Sequence, residues 1–273
     1  MSTPGFAFLR TPVRTIVLVA SVACCTGTIA PAFALKAARP SIYEAVLDEP
    51  VQRTPEISTN ELKAILAQGT EIVFDARPKD EYAIAHIPGS INLDEKQLGR
   101  MTQTYAERST SMVVYSNGPF CDLARARSDD LLRLGYSRVS RYQLGLPVWR
   151  ILGNAAATSV QGFRQIFRAG NAVIVDARSR AEYAAGTIPT AQSILPGEAA
   201  RAKEDRRLRY LDPNTRIVVF ANSAREARGV AEEIARNAYP NSSYVDGTYQ
   251  DLKREKFFLE RKPSPYFLDG LTR

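Results

Sequence analysis

The sequence predicts an α/β protein built as two tandem copies of one module, each a mainly parallel sheet flanked by helices. Three observations lead there. Residues 75–88 read DARPKDEYAIAHIP and residues 176–189 read DARSRAEYAAGTIP, an offset of 101 residues, with Asp, Ala, Arg, Glu, Tyr, Ala, Ile and Pro recurring in register. A period of that length marks a whole domain rather than a solenoid unit. The likeness extends outwards: Leu62, Ile65, Leu66 and Gly69 match Phe163, Ile166, Phe167 and Gly170, and Val113-Val114-Tyr115 matches Val218-Val219-Phe220 with a small slip. Finally, short apolar runs alternate with stretches of helical period, the pattern of helices packed on a parallel sheet.

Residues 35–57 form a lead-in with Pro40, Pro50 and Pro55 and no strong period. The first module spans 58–152. Ser58 and Glu61 have capping-box spacing, Leu62, Ile65 and Leu66 share a helical face, and Gly69 stops that helix. A strand over Glu71–Phe74 ends at Asp75, residues 95–108 read as helical, and Met112–Tyr115 is a buried strand. Asp122–Leu134 reads as a helix with Leu123, Leu131 and Leu134 inward and Gly135 as its stop; a strand over Arg138–Tyr142 then leads to Gly145-Leu146-Pro147-Val148-Trp149. The second module, 159–254, repeats this order. It has a helix near 160–168, strands at 172–175 and 216–220, and a helix at 226–237 whose Ala227, Val230, Ala231, Ile234 and Ala235 line one stripe. The Ala-rich stretch from Gly153 to Thr158 reads as the linker. Residues 255–273 are a tail whose Phe257, Phe258, Tyr266 and Phe267 are expected to pack on the second module.

Residues 1–34 read as a secretory signal peptide: Arg10 and Arg14 precede an uncharged, mostly apolar run from Thr15 to Ala30, and Ala32-Phe33-Ala34 is a cleavage site. The protein is then expected outside the cytoplasm, in the periplasmic space, and free of the membrane once the leader is removed. Loss of Arg10 and Arg14, with no acid, lowers the formal charge from +7 to +5. That mild basicity suits small anions. With Lys and Arg scattered among acids, it does not mark a nucleic-acid protein. Of three cysteines, Cys24 and Cys25 fall in the leader, which leaves Cys121 and no internal disulfide.

Ligands of open parallel sheets sit at the carboxyl ends of strands, which selects the loops after Tyr115 and Phe220. Each loop opens a helix, whose free N–H groups favour an anion. Asp75-Ala76-Arg77, Glu81-Tyr82, Ala85-His86-Ile87-Pro88-Gly89, the strand–loop–helix from Tyr115 to Gly135, and Gly145 to Trp149 together resemble the rhodanese family, over about 58–152 and more faintly 159–254. The resemblance implies sulfur transfer without a metal or organic cofactor. A cysteine takes sulfane sulfur from a small anionic donor of the thiosulfate type, holds it as a persulfide, and passes it to a thiol or cyanide. Tandem members usually keep one active copy.

The chain departs from the family at the nucleophile. The usual cysteine position, first in the loop after the strand, holds Ser116, and the loop continues Asn117-Gly118-Pro119-Phe120-Cys121-Asp122. Some exported members carry Cys-Asn-Gly-Pro-x-Cys here, so this chain resembles one that kept the second cysteine and lost the first. A serine cannot hold sulfane sulfur. The second loop, Ala221-Asn222-Ser223-Ala224-Arg225-Glu226, has no cysteine, so the second module is expected to be silent. Cys121 therefore has two readings. It is a shifted nucleophile at the mouth of the following helix, with Arg125 and Arg127 adding positive charge and Asp122 opposing it, or a small hydrophobe closing the loop. On the first reading the site is Cys121, with Ser116, Asn117, Gly118 and Phe120 around the donor. On the second the protein is a non-catalytic binding module, and a protein partner is left open. A third reading makes Cys121 a redox thiol. Cys121 and Arg127 also stand at Cys-x5-Arg spacing, but the residues between them read as helix and lack glycine, which argues against an amide loop around phosphate. His86, Asp75, Arg77 and the matching Asp176 and Arg178 are read as scaffold.

Overall fold

A computed structural model describes residues 49, 51–208, 212, 214–237 and 239–255. The leader read over 1–34, most of the lead-in, and the aromatic tail beyond 255 lie outside these residues.

The first half carries α1 (Thr59–Gln68), β1 (Ile72–Asp75), α2 (Lys79–Ile84), β2 (Ile91–Asn92), α3 (Glu95–Leu98), α4 (Met101–Thr104), β3 (Met112–Tyr115), α5 (Leu123–Arg133), β4 (Val139–Tyr142) and α6 (Gly145–Ile151). The second half carries β5 (Ala156–Thr158), α7 (Val160–Ala169), β6 (Ala172–Asp176), α8 (Arg180–Ala185), β7 (Gln192–Ser193), α9 (Ala199–Glu204), β8 (Arg216–Phe220), α10 (Ala224–Arg236), β9 (Ser242–Val245) and α11 (Tyr249–Arg254). The strands form two parallel sheets, ordered β2-β1-β3-β4 and β5-β9-β8-β6-β7. The fold is α/β, with helices flanking each parallel sheet.

Local chemistry explains the elements. Ser58 caps α1 in a reciprocal capping box with Glu61, and Gly69 closes it in the left-handed conformation at φ 63°. In the first sheet, Val73, Val113 and Tyr115 face a core shared with Leu62, Ile87 and Trp149. Their neighbours Phe74, Met112 and Val114 face the opposite core with Leu93 and Leu131. This period-two alternation lets a four-residue strand bury both faces. In the second module, Ala227, Val230, Ala231 and Ile234 lay one apolar stripe of α10 against the sheet.

Three sequence expectations change. The Ala-rich stretch read as a linker ends in β5, an edge strand of the second sheet paired with β9. Ala156, Ala157 and Thr158 are nearly free of solvent, and their small side chains let neighbouring backbone approach closely. The lead-in joins the first sheet at the matching place: Glu56 bridges Arg141, with Ile57 N donating to Arg141 O at 2.9 Å and Arg141 N donating to Pro55 O at 2.8 Å. Residues 95–108 form not one helix but α3 and α4, broken at Gly99-Arg100.

The two modules meet along a backbone seam. His86 and Ala157 exchange N–H···O bonds of 2.9 and 2.8 Å, and Ser159 N donates to Ala83 O at 3.0 Å. Gly162 lies so close to Ala83 that a β-carbon there would sit 1.8 Å from its carbonyl oxygen, so only glycine fits.

Candidate active site

At the carboxyl end of β1, Asp75 is fully buried and satisfied by several donors. Arg77 donates from its backbone N (2.9 Å), Nε (2.9 Å) and Nη2 (2.5 Å), and Tyr115 donates its hydroxyl at 2.6 Å. Arg77 Nη2 also donates to Ala85 O at 2.6 Å. Burial pulls the Arg77 guanidinium down, but its bonds to Asp75 and the carboxylate charge hold it above its ordinary value. Burial, then the Asp75 charge, raises the Tyr115 phenol well above its usual range, so it remains a donor. Its oxygen accepts from Ile87 N at 2.9 Å and lies 2.9 Å from Ser90 Oγ, which ties the turn after α2 to the end of β3.

His86 stacks on Tyr82, with ring centroids 3.9 Å apart, and its Nδ1 lies 2.8 Å from Tyr82 O. Burial lowers its pKa, which favours the neutral ring. Its backbone forms the intermodule seam, so this histidine is placed as scaffold.

The loop between β3 and α5 follows Tyr115. Ser116 is buried, its hydroxyl without a hydrogen-bond partner, and its carbonyl accepts from Leu146 N at 3.1 Å. Gly118 is buried at φ 106° against Gly145, where a β-carbon would fall 2.4 Å from Gly118 N and Ser116 O. Only glycine at 145 lets the loop seat on α6. A turn then brings Cys121 N back to Gly118 O at 3.0 Å. The Gln143 side-chain amide spans the loop, 3.4 Å from Gly118 O, 3.4 Å from Pro119 O and 3.2 Å from Cys121 O. Phe120 stands 87% exposed at the tip, and Cys121 beside it is a free, partly exposed thiol. Asp122 occupies the N-cap of α5 with helical backbone and no side-chain cap bond, so the first N–H groups of this 11-residue helix are uncapped beside Cys121.

The structure thus brings together Cys121, Phe120 and an uncapped helix start, and buries Ser116 and Gly118 beneath them. Arg125 and Arg127, expected to add free charge at the thiol, are paired instead: Arg125 lies 3.5 Å from Asp122, and Arg127 lies 3.0 Å from Asp130. Asn117 is exposed and reaches across to α2, donating to Glu81 at 2.9 Å and lying 3.5 Å from Arg77 Nη1. Asn222 makes the same bond to Glu182 at 2.7 Å in the other half. That recurrence was visible in the sequence and identifies the Asn–Glu tie as scaffold. Gln143 carried no such signal.

The described region also holds a cleft of about 410 Å³ between the modules, lined by Arg77, Glu81 and Asn117 but not by Cys121.

Residues 58–152 and 159–255 each match the model of the Rhodanese-like domain family. The chain belongs to that family. The rhodanese-like domains run in tandem: the first contains one parallel sheet, and the second contains all of the other but β5, which lies just ahead of it. The chain is 31% identical over 115 residues to the HTH-type transcriptional regulator Rv0324 of Mycobacterium tuberculosis, covering 40% of this chain and 48% of the relative. Among solved structures it resembles a thiosulfate sulfurtransferase from Pseudomonas aeruginosa, with 22% identity, coverage of 74% of this chain and 42% of the other, and a TM-score of 0.31. It also resembles the human single-domain sulfurtransferase TSTD1, at 22% identity over 35% of this chain and 95% of the other, with a TM-score of 0.31. The chain thus spans about half the length of the curated relative and less than half of the Pseudomonas enzyme.

Proposed function

We propose that the protein is a sulfurtransferase that carries sulfane sulfur on Cys121 of the first rhodanese-like domain. One observation carries the reading: a free thiol sits in the strand–helix loop beside a helix start that no side chain caps. The uncapped amides suit a small anionic donor such as thiosulfate, and their partial positive charge stabilises a thiolate or a leaving sulfite. The Cys121 thiolate attacks the outer sulfur of the donor. A Cys121 S–S bond forms as the donor S–S bond breaks, and sulfite leaves with the electron pair. An acceptor thiolate or cyanide then attacks the outer persulfide sulfur and releases the Cys121 thiolate.

Phe120 offers an apolar contact to the acceptor. Ser116, Asn117 and Gly118 set the loop's shape beneath the donor. No step calls for a metal or organic cofactor. The charged-then-apolar opening supports export to the periplasmic space, and N-terminal sequencing of the protein recovered there tests that part. The chemistry is tested by thiocyanate release from thiosulfate and cyanide. Native protein is expected to turn over and Cys121→Ser to be inactive; equal rates in both would reject Cys121 as the carrier.

A second reading is favoured by the placement of Cys121 outside the intermodule cleft: a non-catalytic domain that binds a partner. A Cys121→Ala protein with full biological activity would support it.

A further inference from the structure

We propose that the cleft between the two rhodanese-like domains is a binding site for a small organic anion, with Arg150 and Arg216 as its anion-holding groups. The two arginines come from different domains, Arg150 from α6 and Arg216 from the start of β8, and both line the same cleft. In each, the Nε is sealed from solvent without a hydrogen-bond partner, and neither side chain makes an ion pair among the described residues. Three other arginines close to element ends are neutralised. Arg77 is held by Asp75, Arg207 by Asp205 and Glu198, and Arg178 by Asp176. Among the described residues Glu81 is the one acid lining the cleft, and it is engaged by Asn117 and lies 3.9 Å from Arg77.

Arg150 and Arg216 are half-buried, each with its Nε sealed, and two unpaired guanidinium groups sharing one cleft repel each other. Burial, then the charges of Arg77 and Arg216, lower the Arg150 pKa to about 10, and burial lowers that of Arg216. Such an arrangement persists where a ligand supplies the missing charge.

The walls define the rest of the ligand. Leu146, Pro147 and the exposed Ile151 give an apolar side, and Asn241 Oδ1 is a buried acceptor without a donor. A volume of about 410 Å³ holds a molecule of drug-fragment size rather than a bare inorganic ion. The fitting class is a compact molecule with one phosphate, sulfonate or carboxylate and an apolar body. Cys121 does not line the cleft, so the site does not depend on the sulfur-transfer reading, and a ligand here would act on how the domains sit together.

The test is calorimetric titration of the full chain with phenyl phosphate, beside inorganic phosphate and benzyl alcohol. Phenyl phosphate is expected to bind saturably and more tightly than either control. Arg150→Gln and Arg216→Gln should each weaken it about tenfold, as loss of a charge-assisted contact does. Cys121→Ser and the surface variant Arg138→Gln should bind like the native protein. Thermal unfolding without ligand supplies a second readout. Removing an unpaired charge should leave the midpoint of Arg150→Gln unchanged or raised, whereas a structural arginine would lower it. No saturable binding, native affinity in either arginine variant, or a lowered unliganded midpoint would overturn the proposal.

Discussion

The two rhodanese-like domains share a scaffold and differ in their loops. Asp75 and Arg77 in the first correspond to Asp176 and Arg178 in the second, where Arg178 Nη2 donates to Asp176 at 2.6 Å and to Gly186 O at 2.7 Å. Tyr82 donates its hydroxyl to Ser90 O, and Tyr183 to Ala191 O, again 101 residues on. Where the residue type changes, the bond is kept by another route. Phe220 stands where Tyr115 stands and has no hydroxyl. Thr187, at the place of His86, instead donates to Asp176 at 2.6 Å. The strand–helix loop is another matter. Seven residues, 116–122, separate β3 from α5 and include a free thiol, whereas only 221–223 separate β8 from α10. Ser223 caps α10 by accepting from Glu226 N, while no side chain caps α5. What recurs holds the sheet ends together, and what differs is the loop that carries the thiol in the first domain alone.

The largest effect should come from the shared clamp. Asp75→Asn leaves Arg77 buried without its counter-charge, and Asp176→Asn does the same to Arg178. Each should cost about 3–5 kcal/mol, read as a loss in denaturant unfolding. A loss in one domain only would break the equivalence.

Tyr115→Phe should cost about 1–3 kcal/mol, because Asp75 and Ile87 N lose a partner. Adding His86→Thr recreates the second domain's arrangement and should recover part of that loss. No recovery would show that the two hydroxyls are not interchangeable.

The caps give a smaller contrast. Ser223→Ala should destabilise by about 1 kcal/mol, and Asp122→Ala by less, since Asp122 makes no cap bond. Equal losses would mean that α5 is capped in solution.

The smallest effect is in pH. His86 is the only histidine of the chain, and burial lowers its folded pKa below the ordinary 6.5. The unfolded chain therefore takes up the proton first. The stability that His86 contributes is complete above about pH 6.5 and declines as the pH falls through it. Native protein should lose more stability than His86→Gln between pH 7 and pH 5, and parallel curves would contradict the burial.

Much of this was legible in the sequence because the module is written twice. Asp75, Arg77, Glu81 and Tyr82 recur at one spacing, and the α1 capping box and Gly69 signal a helix start and stop. β5 escaped notice because only Thr158 of its three residues is β-branched and the other two are alanine; its place is set by close packing at the seam. The two-residue strands β2 and β7 are too short to show a period. The intermodule cleft could not be read at all, since Arg150 and Arg216 are far apart in sequence and meet only through tertiary packing. Cys121 was legible as the thiol of the site loop. Its neighbours' roles were less so, because the burial of Ser116 and Gly118 depends on Gly145, which lies in a separate segment.

The most direct test of the contrast is intact mass of the full chain after incubation with thiosulfate, beside Cys121→Ser. A gain of about one sulfur, ~32 Da, is expected on the native protein alone, removed by cyanide. An unchanged mass, with the Cys121 thiol shown to be free, would contradict it and leave both domains as scaffolds for binding.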